Sequence, residues 1–588
     1  MSRSMTYNEH GNVMWPLASG LAGTDTPVLL PIMAPRLQAD CEPDGRITVS
    51  VWGVGAIATL SFTPLSAPYA YGPNLIEAAQ GGGVYVAQSA PVMVIRGTQL
   101  QRLAAKTKAA WWHTPDANTP KPKSSRRGIR RTLVLEWGAV AIEQRGDDLV
   151  IAGGTDLDEA VAALSLSVEA IVAEAKAYLA KCDRLPEADP LMRSMVIQGT
   201  HAALSSMRQA RDGSFAGLAA GQGYSSPART YYRDGYWTLQ PLLTLAPQAV
   251  RDQIRLLAKG IQPDGEAPSA IILSGPAQSA AWDIFRRTTH PYVLEHARPQ
   301  DWWSDHFDSP LFFILTLGDY VRTTGDSEEA RLHWTHVQAI VKRYVDASGP
   351  DGLPRKPDHD RDWADNVFRE GLVSYNLGLW VGALDAIVAM GATIDPDLAK
   401  QAGDLARTAR SAIDAALWQP ELGHVAEYRN TDGFVEDHFA LDSLTLLRYD
   451  AISKDHALTT LETATTKLES RNNTIQPYGD WGVLCAFPPY KKPAHTRAKS
   501  AFAFRYHNGS DWPYWDGVYA EERLRRGLPG ARYALTRWWQ ACLSSGWAGA
   551  IEYYSPPFGR GSLLQGWSGL PADVAVRYRD AVGVADEG

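Results

Sequence analysis

Only four cysteines occur in 588 residues, at Cys41, Cys182, Cys485 and Cys542. They are too few and too far apart for a disulfide framework, and the absence of any CxxC pair or Cys/His cluster argues against a structural zinc site. No apolar run reaches the ~18 residues of a membrane span. The opening MSRSMTYNEHGNVMWPLASG has no continuous apolar segment of the kind a secretory leader carries. The expectation is a soluble, cytoplasmic protein with no membrane partner. Positive charge is also short: 57 Lys and Arg stand against 65 Asp and Glu, a net charge of −8. That sign disfavours nucleic acid as the main partner, because phosphate binding needs a basic face. There is no glycine-rich phosphate loop after a strand and no His/Asp ligand spacing, so no nucleotide, flavin or metal cofactor is expected. No unit recurs at ~34–47 residues, which excludes a short-period solenoid.

What the chain has in abundance is aromatic surface, with 20 Trp and 24 Tyr. Many of these residues sit beside acids, as in DWWSDHFDSP, RDWADN and GSDWPYWDG. Tryptophan is a demanding core filler because its N–H needs a partner. Indole faces next to carboxylates suit sugars, whose C–H faces stack on rings while their hydroxyls bond to acids. Residues 46–62, 83–97 and 131–154 are rich in β-branched residues and broken by Gly, Pro and Asp-Asp turns, the pattern of short antiparallel strands in a sandwich. Alanine-rich helical spacing then takes over at 156–183 and continues through 308–325, 327–348, 374–391, 396–418, 438–452, 519–527 and 531–546. This predicts a β-sandwich domain over 1–155, a helical linker over 156–185, and a toroid of paired helices over 186–588. In such a toroid, loops remote in sequence gather at one end as a cleft.

The acidic-aromatic loops follow in the order YYRDGYW (231–237), QPDGEAP (262–268), WWSDHFDSPL (302–311), RDWADNVFREG (361–371), YHNGSDWPYWDG (506–517) and EYYSPPFGRGSLLQGWS (552–568). Over roughly residues 190–575 this set resembles the inverting glycoside hydrolases built on an (α/α)6 barrel. These are the glucoamylases, glycogen-debranching amylo-1,6-glucosidases, trehalases and mannosyl-oligosaccharide glucosidases. The acid segment lacks the glycine of the oligosaccharide glucosidases, which leaves the substrate open. The resemblance implies an exo-acting enzyme on an α-linked gluco-type oligosaccharide or glycoside, with a carbohydrate as its partner. An inverting enzyme needs one carboxylic acid to protonate the leaving oxygen and one carboxylate to activate water, roughly 6.5–9.5 Å apart.

Asp365 fits the acid, with Asp362 the competing choice in the same loop. Glu552 fits the base, the alternative being a structural pair with Arg560. By the same resemblance Asp234 would accept hydrogen bonds from two adjacent hydroxyls of the terminal sugar, Arg233 would orient that carboxylate and donate to another oxygen, and Tyr236 and Trp237 would supply the stacking wall. Trp303, Asp308, Trp363, Arg369, Glu370, His507, Asn508, Trp512 and Trp567 complete the substrate-binding candidates, Trp303 and Trp512 being those that packing alone could also explain. The basic stretch KKPAHTRAK (491–499) lies just before the fifth loop, where it could reach an anionic aglycone. Two other functions stay open at this point: a phosphorylase on the same barrel, which would need no base, and a carbohydrate-binding protein without turnover.

Overall fold

The computed structural model describes residues 6–15, 29–108, 120–224, 228–274, 292–293, 306–358, 360–490 and 495–582. Its N-terminal part is two antiparallel sheets, one of nine strands and one of five, as the strand pattern predicts. In the smaller sheet Leu37–Glu42 and Arg46–Val51 alternate buried and half-exposed positions. One face meets the partner sheet and the other faces outward. At the sheet-to-sheet contact Gly153 lies against Leu37, Val49 and Val51, where a side chain would crowd the facing strands. The middle strands of the larger sheet, Val92–Arg96, Gly138–Arg145 and Asp148–Gly154, are buried along most of their length. Their second face is covered by the helices Leu157–Ala163 and Val168–Cys182.

Those two helices replace the single one expected over 156–183. Ser167 accepts a hydrogen bond from the Ala170 N–H and starts a new helix, because its side chain satisfies a donor that helix continuation would otherwise use. Beyond Pro190 the chain is helical in alternating pairs. Tyr232–Leu245, Ser309–Thr324, Ser374–Gly391, the short turn Leu441–Arg448, Pro513–Arg525 and Gly569–Arg577 each touch the next, and the last touches the first, closing an inner ring. These helices are buried almost all round; in Ser309–Thr324 the run from Ser309 to Gly318 is wholly buried. Around them stand Pro190–Ser206, Pro247–Ala258, Trp334–Asp346, Pro396–Leu417, Lys454–Lys467 and Ala531–Ser544. Most of these outer helices are amphipathic: Pro396–Leu417 buries Ala399, Ala402, Ala406, Ala409, Ile413 and Leu417, the one-sided stripe of a helix with one face in water. Gly378 lets the inner ring close, since a Cβ there would meet the Thr445 backbone.

The sandwich is docked on the barrel through polar and apolar contacts near one end of the ring. Gln222 donates to the Asp40 carboxylate at 2.6 Å and to the Ala39 carbonyl at 3.2 Å, while Gln38 donates to the Gln222 carbonyl at 3.0 Å. The buried Arg208 reaches the Ala34 carbonyl. Met33, Ala219 and Leu564 form a small apolar cluster across the same junction. Among the described residues no helix is long and apolar enough to cross a membrane.

Candidate active site

The segments leading into the inner helices, and the first turns of those helices, converge at one end of the ring. There they enclose a cavity of about 540 Å³, within the ~300–1,000 Å³ range usual for small-molecule sites. Arg233 and Asp234 come from the first turn of Tyr232–Leu245, and His306 precedes Ser309–Thr324. Trp363, Asp365 and Asn366 lie in the loop before Ser374–Gly391. Arg497, Ala498, Tyr506, His507 and Trp512 lead to Pro513–Arg525, and Glu552 and Trp567 lead to Gly569–Arg577. Tyr224, Tyr231 and Ser269 complete the wall. Below it Trp237, Tyr514 and Trp515 are fully buried and in mutual ring contact. They plug the ring axis, so the cavity is blind.

Two carboxyl groups on this wall are held differently. Glu552 accepts hydrogen bonds from the Tyr224 hydroxyl at 2.8 Å and the Ser562 N–H at 2.9 Å. Burial raises its pKa, opposed by those two donors and by Lys499. Asp365 is also pushed up by burial, opposed by the charges of Arg233, His306 and Arg361. Its Oδ1 is buried with no hydrogen-bond partner; the nearest ring nitrogen, His507 Nδ1, stands 3.8 Å away. His507 itself is kept neutral, its pKa driven well below the usual range by burial and by Arg233, Arg369 and Lys499. It stacks on Trp512 with centroids 5.3 Å apart and planes 13° from parallel. On the opposite wall Asp234 accepts from Gln565 Nε2 at 3.1 Å, and burial raises it to about 7.

Asp362, the rival of Asp365 in the same loop, does not reach the cavity. It accepts three hydrogen bonds from Arg369 at 2.9–3.2 Å and one from Asn376 at 2.9 Å. Nor does Arg560 pair with Glu552: it donates to the Gly561 carbonyl and lies over the Trp547 ring.

Several residues expected to touch substrate lie elsewhere. Arg233 pairs with Asp308 at 2.9 Å and not with Asp234. Asp308 is buried behind the wall and also accepts from Tyr375 at 2.9 Å; burial would raise its pKa, but Arg233 and His306 hold it well below the ordinary carboxylate range. Tyr236 and Trp237 are not the stacking wall. They point into the packing between inner helices, where Tyr236 meets the Tyr449 hydroxyl at 3.0 Å and Arg448 lies over the Trp237 ring. Arg369 is wholly buried between Asp362, Glu427 and Asp442, at 2.9, 2.6 and 2.7 Å. Glu370 accepts from Thr431 at the surface. Asn508 bridges the Ser500 carbonyl and the Tyr490 N–H. Trp303 lies outside the described residues. Trp512, by contrast, does line the cavity, and the stacking surface consists of Trp363, Tyr506, Trp512, Trp567, Tyr224 and Tyr231.

The cavity-lining residues missed from the sequence were Tyr224, Tyr231, Ser269, His306, Asn366 and Tyr506, while Arg497 and Ala498 belong to the basic stretch 491–499 expected to reach an aglycone. Most belong to the quoted loops or abut them: Tyr231 opens YYRDGYW, Tyr506 opens YHNGSDWPYWDG, and His306 and Asn366 are neighbours of chosen acids.

No protein-family model matches the chain, and no curated protein does. Its fold is similar to that of a bacterial glucoamylase solved in complex with acarbose. The TM-score is 0.62 at 11% identity, covering 94% of this chain and 93% of that one. A rhamnosidase from Klebsiella oxytoca with rhamnose bound matches with a TM-score of 0.51 at 15% identity, over 94% of this chain and 97% of the other. The chain therefore has the architecture of the (α/α)6 glycoside hydrolases, an antiparallel β-sandwich followed by a helical toroid.

Proposed function

We propose that the protein is an inverting, exo-acting glycoside hydrolase for an α-linked gluco-type sugar, with Asp365 as general acid and Glu552 as general base. The observation that carries this reading is the unequal treatment of the two carboxyls in one cavity. Asp365 has a buried oxygen that no donor satisfies, and burial favours its protonated form; a carboxylic acid held this way is ready to give its proton to a glycosidic oxygen. Burial raises Glu552 as it does Asp365, but Glu552 is fixed by two donors, and hydrogen bonds to a carboxylate favour its charged form, the form that can take a proton from water.

In the reaction, Asp365 protonates the leaving oxygen as the anomeric C–O bond breaks. Water, deprotonated by Glu552, forms the new C–O bond from the opposite face, so the anomeric configuration inverts. Asp234 and Arg233 then serve the terminal sugar. Asp234 accepts from its hydroxyls, and Arg233, fixed by Asp308, supplies a positive charge beside them. The blind floor under the aromatic plug favours a chain end over an internal linkage. The α-gluco assignment rests on the resemblance of the loops and on the acarbose held by the glucoamylase neighbour. Glu552 also weighs against phosphorolysis, since a carboxylate repels phosphate from the position water would take.

Proton NMR of a panel of α- and β-linked disaccharides and aryl glycosides tests the reading. Early release of the free sugar as the anomer opposite to the substrate's supports it. Retained configuration, or turnover only when phosphate is added, defeats it.

A further inference from the structure

Three cations, Arg497, Lys499 and Arg505, lie in or beside the cavity-lining residues Arg497, Ala498 and Tyr506. Arg497 lines the cavity, and its Nη2 donates to the backbone carbonyl of Asp365 at 3.3 Å. Its guanidinium lies 5.0 Å from the centre of the Phe368 ring. Lys499 Nζ stands 4.9 Å from the Tyr506 ring and 5.5 Å from that of Tyr553. Arg505 lies between Phe558 at 4.7 Å and Phe502 at 5.5 Å, and its buried Nε has no hydrogen-bond partner. Among the described residues, none of the three forms an ion pair. Some buried arginines elsewhere are paired closely, Arg369 with three carboxylates, Arg448 with Glu521 at 2.6 Å and Arg526 with Glu522, while Arg208 reaches only a backbone carbonyl. In a protein of net charge −8, three cations within the nine residues 497–505, with no acid among them, are a local concentration of positive charge.

The rings beside them are exceptional too. Phe368, Phe502 and Phe558 are 43%, 52% and 43% exposed, and Phe502 and Phe558 lie 5.9 Å apart. A single exposed apolar side chain is ordinary. Phe368 beside the cavity-lining Arg497, and Phe502 with Phe558 around Arg505, offer faces suited to a flat ring with a negative charge. Cations attract ligand anions, and aromatic faces accept both the cations and a stacked ring.

Their position fixes which part of a substrate they would meet. Under the reading above, on which this inference rests, the group that leaves lies on the side of Asp365, and Arg497 is bonded to that residue's own carbonyl. We infer that Arg497, Lys499 and Arg505, with Phe368, Phe502 and Phe558, form an aglycone site for an aromatic acid, so that the preferred substrates are glycosides of ring-bearing carboxylates. Lys499 has a second part in this arrangement: its charge helps hold Glu552 and His507 below the pKa values that burial alone would give.

The test compares 4-carboxyphenyl and 4-methoxyphenyl α-glucosides, which share a sugar and a ring and differ in charge. It uses the wild type and the double variant Lys499→Gln/Arg505→Gln. The expected kcat/KM ratio is at least about tenfold in favour of the carboxylate for the wild type, as one charge-assisted contact supplies. It should shrink at 0.5 M salt and fall to about two in the variant. Equal kcat/KM for the two glycosides in the wild type would overturn the inference while leaving the hydrolase reading intact. Isothermal titration with 4-hydroxybenzoate alone separates the two ideas if neither glycoside is cleaved. Saturable binding that the double variant loses would keep the aryl-acid site and remove the proposed reaction, whereas absence of binding would overturn the site.

Discussion

Arg369 was a substrate-binding candidate from its place in the acid loop, yet the structure buries it among three carboxylates, and this makes a quantitative prediction. Its Nε and Nη2 bond to Asp362, while Nη1 bonds to Glu427 at 2.6 Å and to Asp442 at 2.7 Å. Asp442 in turn accepts from the Trp363 indole at 2.6 Å, so the guanidinium anchors a cavity wall residue from below. Arg369→Met fills similar space but leaves three buried carboxylates with His438, bonded to Glu427 at 2.6 Å, and the buried Lys356, whose charge acts on Asp362, to offset them. Removing one partner of a buried ion network costs about 3–5 kcal/mol. The helical domain unfolds with an entropy of about 2.1 cal/mol/K per residue, on the order of 0.8 kcal/mol/K over its length, so the midpoint should fall by roughly 4–6 °C. Differential scanning fluorimetry at neutral pH measures this. A variant that melts within 1 °C of wild type but no longer protects against heat when sugar is added would refute the reasoning and return Arg369 to the substrate.

Two further perturbations test other parts of the structure. The carboxyls of Asp511 and Asp516 are buried with no donor among the described residues on any of their four oxygens, and burial raises both, Asp511 to about 7 and Asp516, which also feels the charge of Asp511, well above the ordinary carboxylate range. Because the folded state binds these protons more tightly than the unfolded chain, the pair loses stability as pH rises from about 4 through 7; Asp516→Asn should therefore match wild type in thermal melts at pH 4 and exceed it at pH 8, and an equal margin at both values would count against the raised pKa values. Tyr224→Phe removes one donor from Glu552, which disfavours its charged form, so the acid limb of the kcat/KM profile should move to higher pH; a limb left in place would mean that Glu552 does not set it.

The strands over 46–62, 83–97 and 131–154 and the outer helices Trp334–Asp346, Pro396–Leu417 and Ala531–Ser544 were legible from their apolar patterning. Period-two alternation in Arg46–Val51 and the alanine stripe of Pro396–Leu417 both mark a face in water. Of the inner ring, Ser309–Thr324, Ser374–Gly391 and Leu441–Arg448 were read, while Tyr232–Leu245 and Gly569–Arg577 were not. Tyr232–Leu245 carries Pro241 within it and is buried on nearly every side, so it shows no period to recognise. The same limit governs the site. Asp365, Glu552, His507, Trp512 and Trp567 were singled out because chemistry calls for acids and rings in converging loops, and they line the cavity. Arg369 and Asp308 looked like site residues for the same reason. Their partners lie 58, 73 and 75 positions away in sequence, and only the fold reveals that those partners use up their charge. Tyr236 and Trp237 failed on geometry: each step along a helix turns by about 100°, which carries them from the cavity-facing edge of Arg233 and Asp234 into the packing.

The central claim is that Asp365 gives a proton and Glu552 takes one, and leaving-group dependence separates these tasks. α-Glucosyl fluoride needs no acid, because fluoride departs unprotonated, while a methyl glucoside needs it fully. The account predicts that Asp365→Asn hydrolyses the fluoride at a rate near wild type yet loses the methyl glucoside by 10²-fold or more, and that Glu552→Gln loses both. Loss of the fluoride reaction in Asp365→Asn, with Glu552→Gln still active on it, would contradict the assignment of the two carboxyls.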